Sequence, residues 1–104
     1  MKNYFISMYQ ILKALEIASY QDHFDYSLFE PNKLGITDKE IQIILKNALD
    51  EGLIKGIYIS PSLKGFKAVS PQLTTKGYDF LENNSSMKKA YNLLKEIKGW
   101  IPVL

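Results

Sequence analysis

The stretch "GITDKEIQIILKNALDEGLIKGIYIS", Gly35 to Ser60, constrains the fold of this chain more than any other part of it. Thr37 stands where a helix N-cap belongs, and Glu40 three residues later can reach back to the cap's own amide, so two helix-end donors are satisfied reciprocally. Ile36 and Ile41 flank the cap at the spacing of a hydrophobic staple, which sets the angle at which the chain enters the helix. Ile41, Ile44, Leu45, Ala48 and Leu49 then recur at helical spacing and define a buried face. Gly52 can take the left-handed conformation that ends a helix. The element runs about 14 residues, or ~21 Å at the usual rise per residue. "LIKGIYI" follows with β-branched strand character, "FKAVS" offers it a partner, and the intervening "SPSLKG" is sized for a hairpin tip.

A capped helix entering a hairpin is the core of a winged helix-turn-helix, with the wing at about residues 53–70. Upstream, Phe5, Met8, Ile11, Leu12, Leu15 and Ala18 define one buried face of a first helix from Tyr4 to Ser19. Ile6 and Ile17 fall almost opposite it, which calls for another element or another subunit over the back of that helix. Between the two helices a short strand is expected at Tyr26 to Phe29 and one helical turn near Pro31 to Leu34. Beyond the wing, Thr74 caps a helix at about 74–83 anchored by Tyr78, Phe80 and Leu81, with Gly77 allowing its first turn a close approach. A last helix at about 86–99 aligns Met87, Ala90, Tyr91, Leu94, Ile97 and Ile101 on one stripe. The expected fold class is α+β, a single winged-helix domain over residues 1–104 with two C-terminal helices; a chain of 104 residues has the material for one such core.

All thirteen basic residues are lysine, beside twelve isoleucines and six asparagines, a bias that points to A+T-rich coding more than to a ligand. The net charge of +2 is small but unevenly spread. Residues 1–52 carry five lysines against eight carboxylates, and residues 53–104 eight lysines against three. No apolar run is long enough to span a membrane and no secretory leader is visible, so a cytoplasmic location is expected. The absence of cysteine excludes disulfides and thiolate metal sites.

The span "SPQLTTKGYDFLENNSSMKKAYNLLKEIKGWI" resembles the YjcQ family, small proteins of Firmicutes and their phages. Leu73, Thr74, Lys76, Gly77 and Leu81 carry the likeness in "LTTKGYDFL". Ala90, Tyr91, Lys95, Glu96, Ile97, Lys98 and Trp100 carry it near the end of the chain, and "ITDKEIQIILKNALDEGLI" sits where that family has its capped central helix. The resemblance implies a winged-helix fold and a phage or prophage origin. It brings no catalytic residues with it.

Reactive constellations are sparse. His23 between Asp22 and Asp25 matches no metal-ligand spacing and reads as a solvated loop histidine. Asp50 and Glu51 are adjacent on a helix and point about 100° apart, a poor geometry for a carboxylate pair. No serine has a base in view, and the six glycines form no phosphate loop. The expectation is a non-enzyme without metal or cofactor.

Candidate contacts to double-stranded DNA lie on the outward face of the capped helix, where Lys39, Gln42, Lys46 and Asn47 are types that reach phosphates or base edges. Lys55, Lys64 and Lys67 on the wing can track phosphates beside them. Asp38, Glu40 and Asp50 oppose a polyanion on the same helix. The reading is therefore a DNA-binding or transcription-regulatory protein. The alternative is a protein-interaction or virion-associated module, with Ile43, Ile6 and Ile17 as partner contacts. A monomer is favoured over a homodimer, because the last helix and the Ile6/Ile17 ridge can pack together within one chain.

Overall fold

The structure, a computed structural model, describes residues 4–21, 26–61 and 65–96. In chain order it contains α1 (Tyr4–Ala18), a 3-10 turn (Tyr26–Phe29), α2 (Pro31–Leu34), α3 (Asp38–Asp50), β1 (Ile54–Ile59), β2 (Phe66–Leu73), α4 (Thr75–Asn83) and α5 (Ser85–Leu94). The strands pair antiparallel as a two-stranded sheet. This is an α+β arrangement compatible with a winged helix, with helices at both ends.

The interior is built around α1. Met8, Tyr9, Ile11, Leu12, Ala14, Leu15, Ile17 and Ala18 are all buried, so the helix is apolar around most of its circumference and lies inside the fold. α3, α4, α5 and β2 all pack on it. Ile17 is only 7% exposed, so the ridge opposite the main face is covered as its spacing called for, whereas Phe5, placed on the buried face, is 47% exposed. The back of α1 is covered within the chain, chiefly by α5. Met87, Ala90 and Leu94 of α5 are buried, each full burial of a large apolar side chain being worth about 1.5–3 kcal/mol.

The start of α3 forms as its sequence requires. Thr37 Oγ1 accepts a hydrogen bond from the Glu40 amide at 3.1 Å, and Glu40 Oε1 accepts from the Thr37 amide at 3.1 Å. That backbone donor holds the Glu40 carboxyl below the usual carboxylate range. Ile36 and Ile41 are both buried in the core. At the other end Gly52 has φ +74°, the left-handed conformation expected of it.

Three local features differ from expectation. Tyr26 to Phe29 is a 3-10 turn, not a strand. α5 is capped by Asn84, whose Oδ1 accepts from the Ser86 and Met87 amides, and it gives way to a turn after Leu94, the rest of the expected span to 99 lying outside the described residues. Ile97 and Ile101 lie outside the described residues, and Tyr91 is 45% exposed although its ring centroid lies 6.1 Å from that of Tyr9. In α4, Thr74 caps as expected and Leu81 is buried, but Tyr78 is exposed. A Cβ on Gly77 would run into the Leu53 carbonyl, so this first turn tolerates only glycine.

The hairpin carries an irregularity that decides which side chains face solvent. Its register runs Ile54↔Leu73 and Lys55↔Gln72, then shifts and resumes as Ile57↔Ala68, Tyr58↔Lys67 and Ile59↔Phe66. Gly56 alone thus stands against Val69, Ser70 and Pro71, in a bulge where Gly56 has φ +80° and Ser70 φ +49°. A Cβ at Gly56 would lie 2.6 Å from the carbonyl oxygens of both Val69 and Ser70. Strict alternation would send Ile54 and Ile57 to opposite faces. The bulge resets the phase, so both are buried and both Lys55 and Tyr58 are exposed.

Candidate nucleic-acid interface

The candidate contacts on α3 are not presented as a helical wheel suggests. Gln42 is only 6% exposed, and its Oε1 has no hydrogen-bond partner among the described residues, so it is no surface contact. Asn47 is half-buried and donates from Nδ2 to the Tyr4 hydroxyl at 3.1 Å, tying α3 to the first turn of α1. Lys46 is exposed, but its Nζ lies 2.8 Å from Asp50 Oδ2. Lys39 is exposed between Asp38 and Glu40. Residues 38–51 hold two lysines against four carboxylates, Asp38, Glu40, Asp50 and Glu51, a net −2.

The amide end of α3 offers a polyanion little. An open helix N-terminus binds phosphate through its free amides. Here the capping box takes up the amides of Thr37 and Glu40 and leaves a carboxylate beside them.

The hairpin is the opposite case. Residues 54–73 contain Lys55, Lys64 and Lys67 and no carboxylate at all. Lys55 and Lys67 are exposed, while Lys64 lies outside the described residues, as does the His23 cluster. The register puts Lys67 directly across from Tyr58, whose ring is 64% exposed. Directly opposed side chains stand about 5 Å apart at their Cβ atoms, so the ring and the ammonium share one patch. Tyr58 was not among the residues singled out from sequence. The signal for it was Gly56, since an isolated glycine inside a strand pattern marks a bulge and hence a change of phase.

Of the candidate partner contacts, Ile43 is half-buried on α3, Ile17 is buried, and Ile6 is half-buried in a groove between α1 and α5 that Ala90 and Leu93 also line. A second groove of about 430 Å³ runs between α3 and β1, over Leu49, Ile57, Tyr58, Ile59 and Pro61, with the Lys46–Asp50 pair on its rim. Among the described residues no group of three or more histidine, cysteine, aspartate or glutamate side chains is placed to hold a metal ion. No helix among them is long and apolar enough to cross a membrane.

The family described as "YjcQ protein" matches residues 9–100. "Uncharacterized protein YjcQ" of Bacillus subtilis (strain 168) is 34% identical over 70 residues, covering 67% of this chain and 74% of that protein. No solved structure matches the chain.

Proposed function

The chain belongs to the YjcQ family, and from that premise and the layout of its surface charge we propose that it is a cytoplasmic winged-helix protein of phage or prophage type that binds double-stranded DNA in a regulatory or structural capacity. It is a binding module, not an enzyme, and it works as a monomer. The observation that carries the reading is the outer face of the hairpin. There the bulge brings Lys55 and Lys67 out on the same side as Tyr58, on a segment free of carboxylates. Ammonium groups contact phosphates, and an exposed tyrosine beside them can pack on a sugar and hydrogen-bond a phosphate oxygen.

A fluorescence-anisotropy titration with a labelled random 20-base-pair duplex at low salt tests this. The wild-type chain should bind, and Lys55→Glu with Lys67→Glu should abolish binding while the circular dichroism spectrum stays the same. Binding that survives the double charge reversal would remove the hairpin from the interface. The α3–β1 groove favours a second reading, a protein-interaction module that accepts an apolar anchor from a partner. A folded chain with no affinity for any duplex would turn the assignment that way.

A further inference from the structure

We infer that the chain holds duplex DNA by its phosphate backbone without reading sequence, with the hairpin as the contact and α3 kept out of base recognition. This rests on the DNA-binding reading above and specifies its ligand as any duplex, irrespective of site. Direct readout needs donors and acceptors free to meet base edges, typically paired from one amide or one cationic side chain. On α3 three of the four candidate groups are buried or already engaged. Gln42 is buried, and Asn47 spends an amide proton on Tyr4, 43 residues away in sequence. Lys46 has the Asp50 carboxylate beside it at 2.8 Å, one turn along the same helix face. Lys39 alone is unencumbered by such a contact, and Asp38 and Glu40 flank it in the first turn, where recognition helices normally enter the groove.

The hairpin has the complementary properties. Its lysines can neutralise phosphates, a contact that carries no sequence information. Tyr58 presents a ring and one hydroxyl, which suits a deoxyribose and a phosphate oxygen on any sequence. Lys55 and Lys67 at one phosphate each give a slope of log K against log salt of about −2.

Anisotropy titrations against A+T-rich, G+C-rich and mixed 20-base-pair duplexes, with selection from a random-sequence library, decide the matter. The three duplexes should bind within about threefold of one another, and the selected pool should show no enriched motif. Lys55→Ala should weaken all three alike and reduce the magnitude of the salt slope by about one. Asn47→Ala and Lys39→Ala should change the relative affinities by less than about twofold. An enriched motif, or a preference among duplexes that either α3 variant removes, overturns this inference while leaving DNA binding intact. No binding to any duplex at low salt overturns both.

Discussion

Replacing Gly56 by alanine perturbs the hairpin at the point that sets its phase, and the cost can be built up from two contributions. Gly56 sits at φ +80°. An L-residue forced into left-handed backbone loses about 1–2 kcal/mol. The new methyl would also lie 2.6 Å from the Val69 and Ser70 carbonyl oxygens, which are backbone atoms and cannot turn aside. The strands must part there, and giving up two flanking ladder bonds costs about 1 kcal/mol each. The sum is about 3–4 kcal/mol, a large share of the 5–15 kcal/mol typical of a domain. In this size range it lowers the melting temperature by at least about 12 °C.

Gly52→Ala supplies the internal control. Its φ is +74°, yet nothing lies within 4 Å of the added carbon, so it should lose only the backbone contribution of about 1–2 kcal/mol. Urea melts of the two variants give the difference directly, provided the m-values agree. Amide exchange should speed up selectively across Ile54–Ile59 in Gly56→Ala. If Gly56→Ala proves no more costly than Gly52→Ala, the bulge does not impose the close contact argued here.

Other perturbations test separate parts of the fold. Thr37→Ala should cost about 1 kcal/mol through loss of the N-cap, and a denaturant melt without loss would contradict the cap's contribution. Leu94→Ala should cost about 2–5 kcal/mol while the wild-type chain scatters light as a monomer; a concentration-independent dimer would refute packing of α5 on α1 as sufficient cover. Burial, with Tyr91 and Glu16 nearby, pushes the Tyr9 hydroxyl up from 10.0 to about 12. The folded chain then keeps a proton that the unfolded chain releases, so this contribution is whole below pH 10 and declines as pH rises toward 12. Tyr9→Phe should remove that alkaline decline, and an unchanged profile would refute the assignment. Asp50→Lys should strengthen duplex binding severalfold by releasing Lys46 beside the hairpin, and unaltered affinity would place α3 too far from DNA to be felt.

What sequence reveals here depends on how local each cause is. The capping box, the end at Gly52 and the cap at Thr74 rest on contacts within a few residues, and all three are present as read. The close approach at Gly77 was legible as well, because only a glycine could serve. The outward face of α3 was not. Periodicity gives the direction of Gln42 and Asn47 relative to Ile41 and Ile44, but not that other elements close over the first or that Tyr4 engages the second. Phe5 shows the same limit, since periodicity put it on the buried face of α1 and it stands half exposed, whereas the cover over Ile17 was called for by its position. Tyr26 to Phe29 reads as β-like from its aromatic content, yet it lies in a connection where a single 3-10 turn suffices. The exposed lysines of the hairpin were identified by type, while their common face with Tyr58 follows only from the register shift.

The same bulge bears on how the chain behaves at high concentration. In a sheet of two strands both are edge strands, and an unbroken edge is a template for pairing with another molecule. β2 does not offer one: Pro71 lacks an amide hydrogen, and the shift at Gly56 spoils the even spacing that an incoming strand would have to match. Lys67 adds charge beside it. The distortion that aims the hairpin's side chains outward also denies neighbouring copies the straight rail along which fibrils grow.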